Sequence, residues 1–380
     1  MTEAVVASIT EHFAGVKDPR IDRTKEHPLI NILVIAICAV ICSADSWTDV
    51  EEFGVAREEW FAGFLDLRNG IPSHDTFGRV FGLIDPVQFQ QGFESWVRTV
   101  CGLIAGVVAI DGKQLCGSKD RVLGQKAITI VSAWATANGL VLGQRQVPSK
   151  SNEIKAIPEV LALLDLHGCI VTIDAIGCQT AIAAQIVEQG GDYVLALKGN
   201  QGRLYEDTSW LFASLRQQEF AGIEYDFCET FDEGHGRVEV RQCWAIDSKY
   251  WPERFQSLAD WKGLRSLAII RSERHVNDKV TTETRYFISS LEAGAATLLN
   301  AKRSHWGIEN GLHWVLDVAF REDDSRIRTD HAPANMNVLR HMAFNLLKME
   351  TTVKRGIKTK RLLSGWSDAY LFKVLQAGFH

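Results

Sequence analysis

The spacing of hydrophobic residues along the chain changes twice, and each change predicts a different kind of element. Near the N terminus, residues 29–42 are apolar on nearly every side, which is typical of a helix in a protein interior. His27-Pro28 opens this run, and proline is tolerated at the first position of a helix. Further helices are predicted to start at 48–51, which has capping-box spacing, and at 85–86. Residues 1–100 are therefore predicted to form a small helical domain.

From residue 106 the hydrophobic spacing becomes that of β-strands, with helices between the later ones. The predicted elements are, in chain order, strands at 107–110, 127–134 and 140–147, a helix at 154–164, a strand at 169–173, a helix at 180–189 and a strand at 193–197. The turn residues 137–139 join the second and third strands as a hairpin. This order is that of a ribonuclease-H-like core, which places the first and fourth strands side by side.

A β-rich insertion is predicted to interrupt this core over residues 216–297, where short alternating stretches are separated by turn residues. The helical spacing then returns, so that residues 101–215 and 298–350 are predicted to form the α/β core together. Residues 351–380 are predicted to be a basic tail, because 326–380 carry ten Lys or Arg against three acidic residues. Such a segment could meet phosphates, although a solvated tail would give the same pattern.

Composition favours a globular protein without membrane contact. The 380 residues are 46% hydrophobic and 23% charged, which excludes disordered and low-complexity classes. The longest apolar run, at 29–42, is too short to cross a bilayer, and the first residues lack the layout of a signal peptide. The eight cysteines have no zinc-site spacing, and the net charge is −6. We therefore expect a cytoplasmic protein.

Two acidic residues stand where predicted strands end. Asp111 follows the strand at 107–110, and Asp174 follows the strand at 169–173. An aspartate that closes a strand is more often a turn former than a catalyst. If the two strands are neighbours, however, the carboxylates meet at one edge of the sheet and repel each other unless a cation joins them. The repeated pattern therefore predicts a site for a hard divalent metal ion.

A third acid lies on a predicted helix at 302–320. Two stripes about 100° apart follow from the helical repeat. The polar stripe is His305, Glu309, His313 and Asp317, and the apolar stripe is Ile308, Leu312, Val315 and Ala319. If the helix packs on the sheet through the apolar stripe, Glu309 points towards the two aspartates. Alternatively, the polar stripe is a solvated face with Glu–His and His–Asp pairs.

Five short motifs, in this order along the chain, resemble those of a known family. They are Ile-Asp-Gly-Lys at 110–113, Ile-Asp-Ala-Ile-Gly-Cys-Gln at 173–179, Leu-Lys-Gly-Asn-Gln at 197–201, Gly-His-Gly-Arg at 234–237 and His-Trp-Gly-Ile-Glu-Asn at 305–310. Together they resemble bacterial insertion-sequence transposases of the DDE type, most closely the H-repeat-associated group. The resemblance implies that Asp111, Asp174 and Glu309 are the catalytic, metal-binding triad on a ribonuclease-H-like core.

The resemblance also implies chemistry and partners. Transposases of this type cut DNA at transposon ends and transfer the strands, so the expected partners are terminal inverted repeats and target DNA, bound by a homodimer. The expected cofactor is Mg²⁺, for which Mn²⁺ can substitute, with two ions about 4 Å apart between the carboxylates. One alternative is a domesticated DNA-binding protein that keeps the fold without transposing. A nucleotide-binding α/β enzyme is disfavoured by the predicted hairpin and by the lack of a phosphate loop.

The residues around the triad depart from the family pattern. Related transposases often have an Arg four residues before the Glu and a Lys seven residues after it, both assigned to DNA phosphate, where this chain has His305 and Leu316. Lys302 or Arg303 could substitute. The candidates for DNA contact are Lys113, Lys198, Arg303 and Trp306, and the candidates for supporting the metal ligands are His305 and His313. A surface lysine, a structural Glu–His pair and a packed tryptophan are the corresponding alternatives.

Three other acids compete with Glu309 as the third member of the triad. They are Asp317, Glu322 and Asp323. Glu309 is preferred because it alone stands in the Trp-x-Ile-Glu context of the resemblance.

Overall fold

The computed structural model describes residues 2–102, 104–119, 124, 126–147, 152–234, 236–252, 258–277 and 279–379. Within these residues the chain forms a mixed α/β fold, with one large sheet and many helices. His235, in the motif at 234–237, lies outside the described residues.

The N-terminal part is helical, as the hydrophobic spacing predicts. Its helices are α1 (Thr2–His12), α2 (Leu29–Ile41), α3 (Trp47–Ala56), α4 (Glu58–Ala62), α5 (His74–Leu83) and α6 (Pro86–Cys101). All side chains of α2 from Asn31 onwards are buried. The capping box of α3 is formed by Ser46 and Asp49 rather than by the predicted pair at 48 and 51. Among the described residues, no helix combines the length and the apolarity needed to cross a membrane.

Within the described residues, nine strands form a single mixed sheet. They are β1 (Gly106–Gln114), β2 (Thr129–Ala135), β3 (Leu140–Gln146), β4 (Cys169–Ile173), β5 (Asp192–Leu197), β6 (Tyr225–Gly234), β7 (Arg237–Asp247), β8 (Ser266–Val276) and β9 (Lys279–Ser289). Their order is β3-β2-β1-β4-β5-β9-β8-β7-β6. The predicted neighbours β1 and β4 are paired in parallel, and β2 and β3 form the predicted hairpin.

The β-rich stretch continues this sheet. Strands β6 to β9 are antiparallel to one another, and β9 pairs with β5. The helices between the earlier strands are α7 (Glu153–Leu161), α8 (Thr180–Glu188) and α9 (Arg203–Gln217). Because β9 pairs with β5, the insertion joins the sheet next to β5, close to the position where β4 ends.

A long helical segment follows the sheet. It consists of α10 (Ala295–Ile308), a π-helical turn (Glu309–His313) and α11 (Trp314–Phe320), and we call it the Glu309 helix. Its buried side chains continue from Ile308 and Leu312 to Leu316 and Phe320, whereas Val315 and Ala319 are partly buried. The π turn shifts the helical phase, because its hydrogen bonds span five residues instead of four.

Helix α12 (Ala332–Met349) lies in the interior, against the N-terminal helices and the edge strand β3. The side chain of Asn345 in α12 forms hydrogen bonds with the backbone of this edge strand. It accepts a hydrogen bond from the Val141 backbone N–H at 2.9 Å and donates to the Val141 carbonyl at 2.8 Å. Backbone groups that would otherwise be unpaired at the sheet edge are therefore satisfied.

The segment predicted to be a basic tail contains two helices, α13 (Ile357–Trp366) and α14 (Asp368–Gln376). Two of its basic residues are buried. Lys360 donates to the Leu347 carbonyl at 2.9 Å, and Arg361 donates to the Val40 carbonyl at 2.9 Å. These cations hold the ends of other helices and do not face solvent.

Candidate active site

The register of two parallel strands places Asp111 and Asp174 at the same edge of the sheet. Ile110 of β1 is opposite Ile173 of β4, and each aspartate follows directly. The two positions differ locally. Asp111 is still inside β1, which continues to Gln114 because β2 pairs with it, so the predicted turn at this point is wrong.

Asp174 leaves its strand and caps a short 3₁₀ turn. Its Oδ1 accepts a hydrogen bond from the Ile176 backbone N–H at 2.9 Å. The turn depends on Gly177, where a Cβ would lie 2.2 Å from a methyl group of Ile173. The Ile-Asp-Ala-Ile-Gly sequence therefore fixes the backbone that carries this carboxylate.

Glu309 reaches the strand edge because its helix packs closely on β2. A Cβ at Gly311 would lie 3.1 Å from the Trp134 ring, and one at Gly307 would lie 3.7 Å from it. Two glycines four residues apart lie on one face of a helix, so the indole can pack directly against the backbone. The Glu309 carboxylate is thereby brought over β1.

Asp111, Glu309 and His313 form a compact cluster. One candidate ligand atom from each lies within 4.8 Å of the others. His313 Nδ1 is 3.5 Å from Glu309 Oε2 and 3.7 Å from Asp111 Oδ2. Of the described residues, no other His, Cys, Asp or Glu joins this cluster by the same distance, so the Asp174 carboxylate stands apart from it. Two carboxylates and one imidazole are a donor set that suits a divalent cation.

The electrostatics of the cluster favour a positive charge between its members. Burial and the charge of Glu309, only partly offset by His313, raise the pKa of Asp111 to about 7. The adjacent His313 side chain lowers the pKa of Glu309. Burial lowers the pKa of His305 despite the nearby charges of Asp174 and Glu309. The neutral form of His305 is therefore favoured beside these acids.

All three predicted acids line one cavity of about 200 Å³, which we call the Asp111 pocket. Its polar and aromatic lining residues are Asp111, Thr172, Asp174, Lys198, Arg285, Phe287, Lys302, His305, Trp306 and Glu309. His305 Nδ1 lies 3.2 Å from the Thr172 hydroxyl, which orients the ring at the wall of the pocket. The pocket thus joins acids from β1, from the end of β4 and from one helix to a group of basic residues.

Comparison with known proteins gives the family of this arrangement. The family described as "Transposase DDE domain" matches residues 104–346, and the one described as "DDE_Tnp_1-associated" matches residues 10–97. The chain belongs to the transposase DDE domain family. The resemblance drawn from the five motifs is confirmed, and the protein is a transposase.

Two relatives match this transposase over nearly its whole length. "Putative transposase YncI" of Escherichia coli O157:H7 is 40% identical, with 97% of this chain and 95% of the relative covered. "H repeat-associated putative transposase YhhI" of E. coli K12 is 39% identical, with 97% of each chain covered. Among solved structures, a piggyBac transposase synaptic complex with hairpin DNA has a TM-score of 0.44 at 9% identity, covering 97% of this chain and 78% of that one. That likeness is too weak to bear on the site.

Two further cations line the pocket: the sequence names Lys302 only as a possible substitute for a phosphate contact, and it does not indicate Arg285. Lys302 lies seven residues, or about two helical turns, before Glu309. This spacing alone predicts that the two residues lie on one face of the helix. Burial and the charges of Arg285 and Arg241 lower the pKa of Lys302 to about 8. Arg285 comes from β9, and no local pattern indicates that this strand pairs with β5.

A fourth acid, Glu153 at the start of α7, was also missed. A Cβ at Gly112 would lie 2.5 Å from the Glu153 carboxyl carbon, so the glycine after Asp111 makes room for this group. Burial and the charge of Asp174 raise the pKa of Glu153. The Asp-Gly pair therefore serves close packing at this point rather than a turn.

Other predicted residues of the transposase lie in different places. Trp306 lines the pocket and is 47% exposed, and Lys198 is an exposed residue at the pocket wall. Arg303 turns away, with Nη2 2.9 Å from Asp232 Oδ2 on β6. Lys113 is held by three carboxylates, and these are the rival third acids Asp317, Glu322 and Asp323, at 2.5, 3.0 and 3.5 Å. Lys113 and Arg303 thus form ion pairs in the structure, and their DNA contacts stay predictions.

Proposed function

We propose that this transposase cuts DNA strands at the ends of its element and joins them to target DNA in the Asp111 pocket. The catalytic, metal-binding residues are Asp111, Asp174 and Glu309. One observation supports the proposal. Candidate ligand atoms of Asp111, Glu309 and His313 lie within 4.8 Å of one another, although Asp111 is far from the other two residues in the sequence. Packing alone does not explain why the two carboxylates are adjacent, because two like charges at this distance repel each other.

The fold element that we propose for this chemistry is a ribonuclease-H-like core. Three antiparallel strands, β3, β2 and β1, are followed in the sheet by the parallel strands β4 and β5, with α7 and α8 between them in the chain. We assign residues 101–215 and 298–350 to this core, 216–297 to the insertion and 1–100 to the N-terminal helical domain.

The proposed cofactor is Mg²⁺, with Mn²⁺ as a substitute. Carboxylate oxygens are the ligands that both ions prefer. When bound, such a cation supplies Lewis-acid polarisation of a phosphodiester. Within the protein, His313 orients Glu309 and Asp111 from the buried side, and the Ile176 N–H fixes the Asp174 carboxylate.

The proposed DNA contacts are Lys198, Arg285, Lys302 and Trp306. Lys302 is half-buried, and no acid in the described part of the chain forms an ion pair with it. A like-charged neighbour such as Arg285 makes this position unfavourable unless an anion arrives. A DNA phosphate beside the scissile one provides that anion, and the exposed Trp306 ring offers a face on which a base can stack.

This arrangement supports one of two alternatives that the sequence left open. Lys302 or Arg303 could stand in for the phosphate contacts of related transposases. Arg303 is engaged by Asp232, whereas Lys302 faces the pocket. Lys302 is therefore the proposed substitute. Because two element ends are processed together, we further propose that two copies of the chain act on DNA as a homodimer.

The test is cleavage of a labelled DNA fragment that carries a terminal inverted repeat of the element. Asp111→Asn, Asp174→Asn and Glu309→Gln are each expected to abolish metal-dependent cleavage while circular dichroism and DNA binding remain near those of the unmodified protein. EDTA is expected to stop cleavage by the unmodified protein. Unchanged cleavage by Asp174→Asn would show that the site is wrongly assigned.

A further inference from the structure

Lys113 forms a second contact between β1 and the Glu309 helix, next to the contact of Asp111 with His313. Its ammonium lies 2.5 Å from Asp317 Oδ1 and 3.0 Å from Glu322 Oε2. The Lys113 side chain is only 12% exposed, so these contacts are largely shielded from water. Two neighbouring contacts thus join β1 to the Glu309 helix. We call the contact of Asp111 with His313 the first rung and the contact of Lys113 with Asp317 the second rung.

Both rungs can form at once because two residues of a strand and four residues of a helix span nearly the same length. Asp111 and Lys113 are two residues apart on one face of β1, a rise of about 6.8 Å. His313 and Asp317 are four residues apart on one face of the helix, a rise of about 6.0 Å. Strand and helix therefore run in the same direction and in register, so that a shift at one rung is passed to the other.

Glu322 ties the second rung to the protein interior. Its carboxylate is fully buried, accepts a hydrogen bond from Asn337 Nδ2 at 2.9 Å and lies 3.7 Å from Arg340 Nη1. Asn337 and Arg340 are buried side chains of α12. The second rung is consequently connected to α12 as well as to β1 and the Glu309 helix.

At the first rung, the Asp111 and Glu309 carboxylates repel each other when both are ionised. We propose that Lys113, Asp317 and Glu322 are positioning residues that press β1 against the Glu309 helix. They set the separation of the Asp111 and Glu309 carboxylates before metal binds. This inference rests on the proposed function, which gives that separation its purpose. None of the three residues lines the Asp111 pocket, so they act through the two carboxylates.

The experiment measures Mn²⁺ binding to the metal-free protein by electron paramagnetic resonance, and the Mn²⁺ concentration that half-saturates DNA cleavage. Lys113→Met and Asp317→Asn are expected to weaken Mn²⁺ binding by about tenfold or more, the usual effect of losing a group that orients metal ligands. Excess Mn²⁺ is expected to restore the cleavage rate with the KM for DNA unchanged. Lys113→Arg, which keeps the charge, is expected to retain most of the affinity.

The matched control is Lys262→Met, which removes an exposed ion pair with Glu188 at 2.6 Å and should leave Mn²⁺ binding unchanged. If Lys113→Met fails to fold, Asp317→Asn decides, because it is isosteric and its side chain is partly exposed. Wild-type Mn²⁺ affinity in Asp317→Asn overturns the inference, while cleavage by the unmodified protein keeps the proposed function. Cleavage that survives in the Asp111, Asp174 and Glu309 variants overturns the proposed function itself.

Discussion

Asp111 has a closely surrounded carboxylate in the candidate site. It is 16% exposed, lies inside a strand and is flanked by His313 and Glu309. A carboxylate in such surroundings is stable as a metal ligand or as a protonated acid, but is unfavourable as a free anion. The position of Asp111 therefore has a cost in stability, which its proposed role as a metal ligand explains.

Removing the Asp111 charge is expected to stabilise the metal-free protein above neutral pH. Its pKa is raised from 3.8 to about 7, so the folded state holds a proton that the unfolded state releases between these values. The stability of the metal-free protein then falls as pH rises through this window. In EDTA at about pH 8, Asp111→Asn should gain on the order of 1–3 kcal/mol in the free energy of unfolding.

Urea unfolding followed by fluorescence measures this gain. The difference between Asp111→Asn and the unmodified protein should shrink as the pH is lowered from about 8 towards 4, because Asp111 is then protonated in the folded state and begins to be protonated in the unfolded state. A variant that is less stable at both ends of this range contradicts the electrostatic account of the site.

Lys302 and Arg285 should each contribute one phosphate contact. Lys302→Met and Arg285→Met are expected to weaken binding to all DNA sequences alike and to reduce the slope of log affinity against log salt by about 0.9 each. Fluorescence anisotropy with an end duplex in EDTA measures the slope. Arg303→Met is the control, because Asp232 already engages Arg303. An unchanged slope in Lys302→Met would remove it from the interface.

At the scale of single residues, the sequence predicts what depends on a local pattern. Asp111 and Asp174 each follow an apolar run, and the parallel pairing of the two strands brings them to one edge. The partners of Lys113 and the position of Arg285 could not be predicted, because they depend on how distant segments return to the sheet. The DNA role of Lys113 stays a prediction, since the sequence did not indicate the three carboxylates around its ammonium group.

At the scale of elements, the Glu309 helix decides the geometry of the site. Its glycines face Trp134 of β2, and its π turn begins at Glu309. The four-residue spacing of its polar stripe was visible in the sequence. The π turn was not predicted, and it moved the buried face from the expected Val315 and Ala319 to Leu316 and Phe320.

Gly311→Val should push the Glu309 helix away from the sheet. A Cβ there would lie 3.1 Å from the Trp134 ring, and a branched side chain needs still more room. We expect a loss of about 1–3 kcal/mol in the free energy of unfolding, together with weaker Mn²⁺ binding. The measurements are urea unfolding and electron paramagnetic resonance.

Gly307→Ala is the matched control on the same helix face. Its Cβ would lie 3.7 Å from Trp134, an ordinary contact, and alanine favours helix by up to about 1 kcal/mol over glycine. If Gly311→Val behaved like Gly307→Ala, close packing on Trp134 would not be what places Glu309.

At the scale of the whole molecule, the C-terminal helices connect the N-terminal helices to the Glu309 helix. Arg361 donates to the Val40 carbonyl near the end of α2 and to the Ala319 carbonyl near the end of α11. It also forms an ion pair with Asp45 at 3.1 Å. A high local content of Lys and Arg suggested a tail that could meet phosphates. Composition alone could not show that some of these cations serve as buried caps.

Arg361→Met is expected to cost about 3–5 kcal/mol in the free energy of unfolding, because it leaves buried carbonyls and Asp45 without their partner. Arg355→Met, at an exposed position in the same segment, should change stability by no more than about 0.5 kcal/mol. Urea unfolding of both variants measures the difference. Equal, small effects would mean that the segment does not support the fold.

Three distant acids are proposed to hold one divalent-metal site for DNA cleavage, and Asp174 tests this best because its carboxylate lies outside the compact cluster. A thiolate is a softer ligand that Mg²⁺ accepts poorly and Mn²⁺ tolerates better. The decisive measurement is cleavage of the end fragment by Asp174→Cys in each metal. The account predicts no cleavage in Mg²⁺ and partial recovery in Mn²⁺. Wild-type cleavage in Mg²⁺, or no advantage of Mn²⁺, would contradict it.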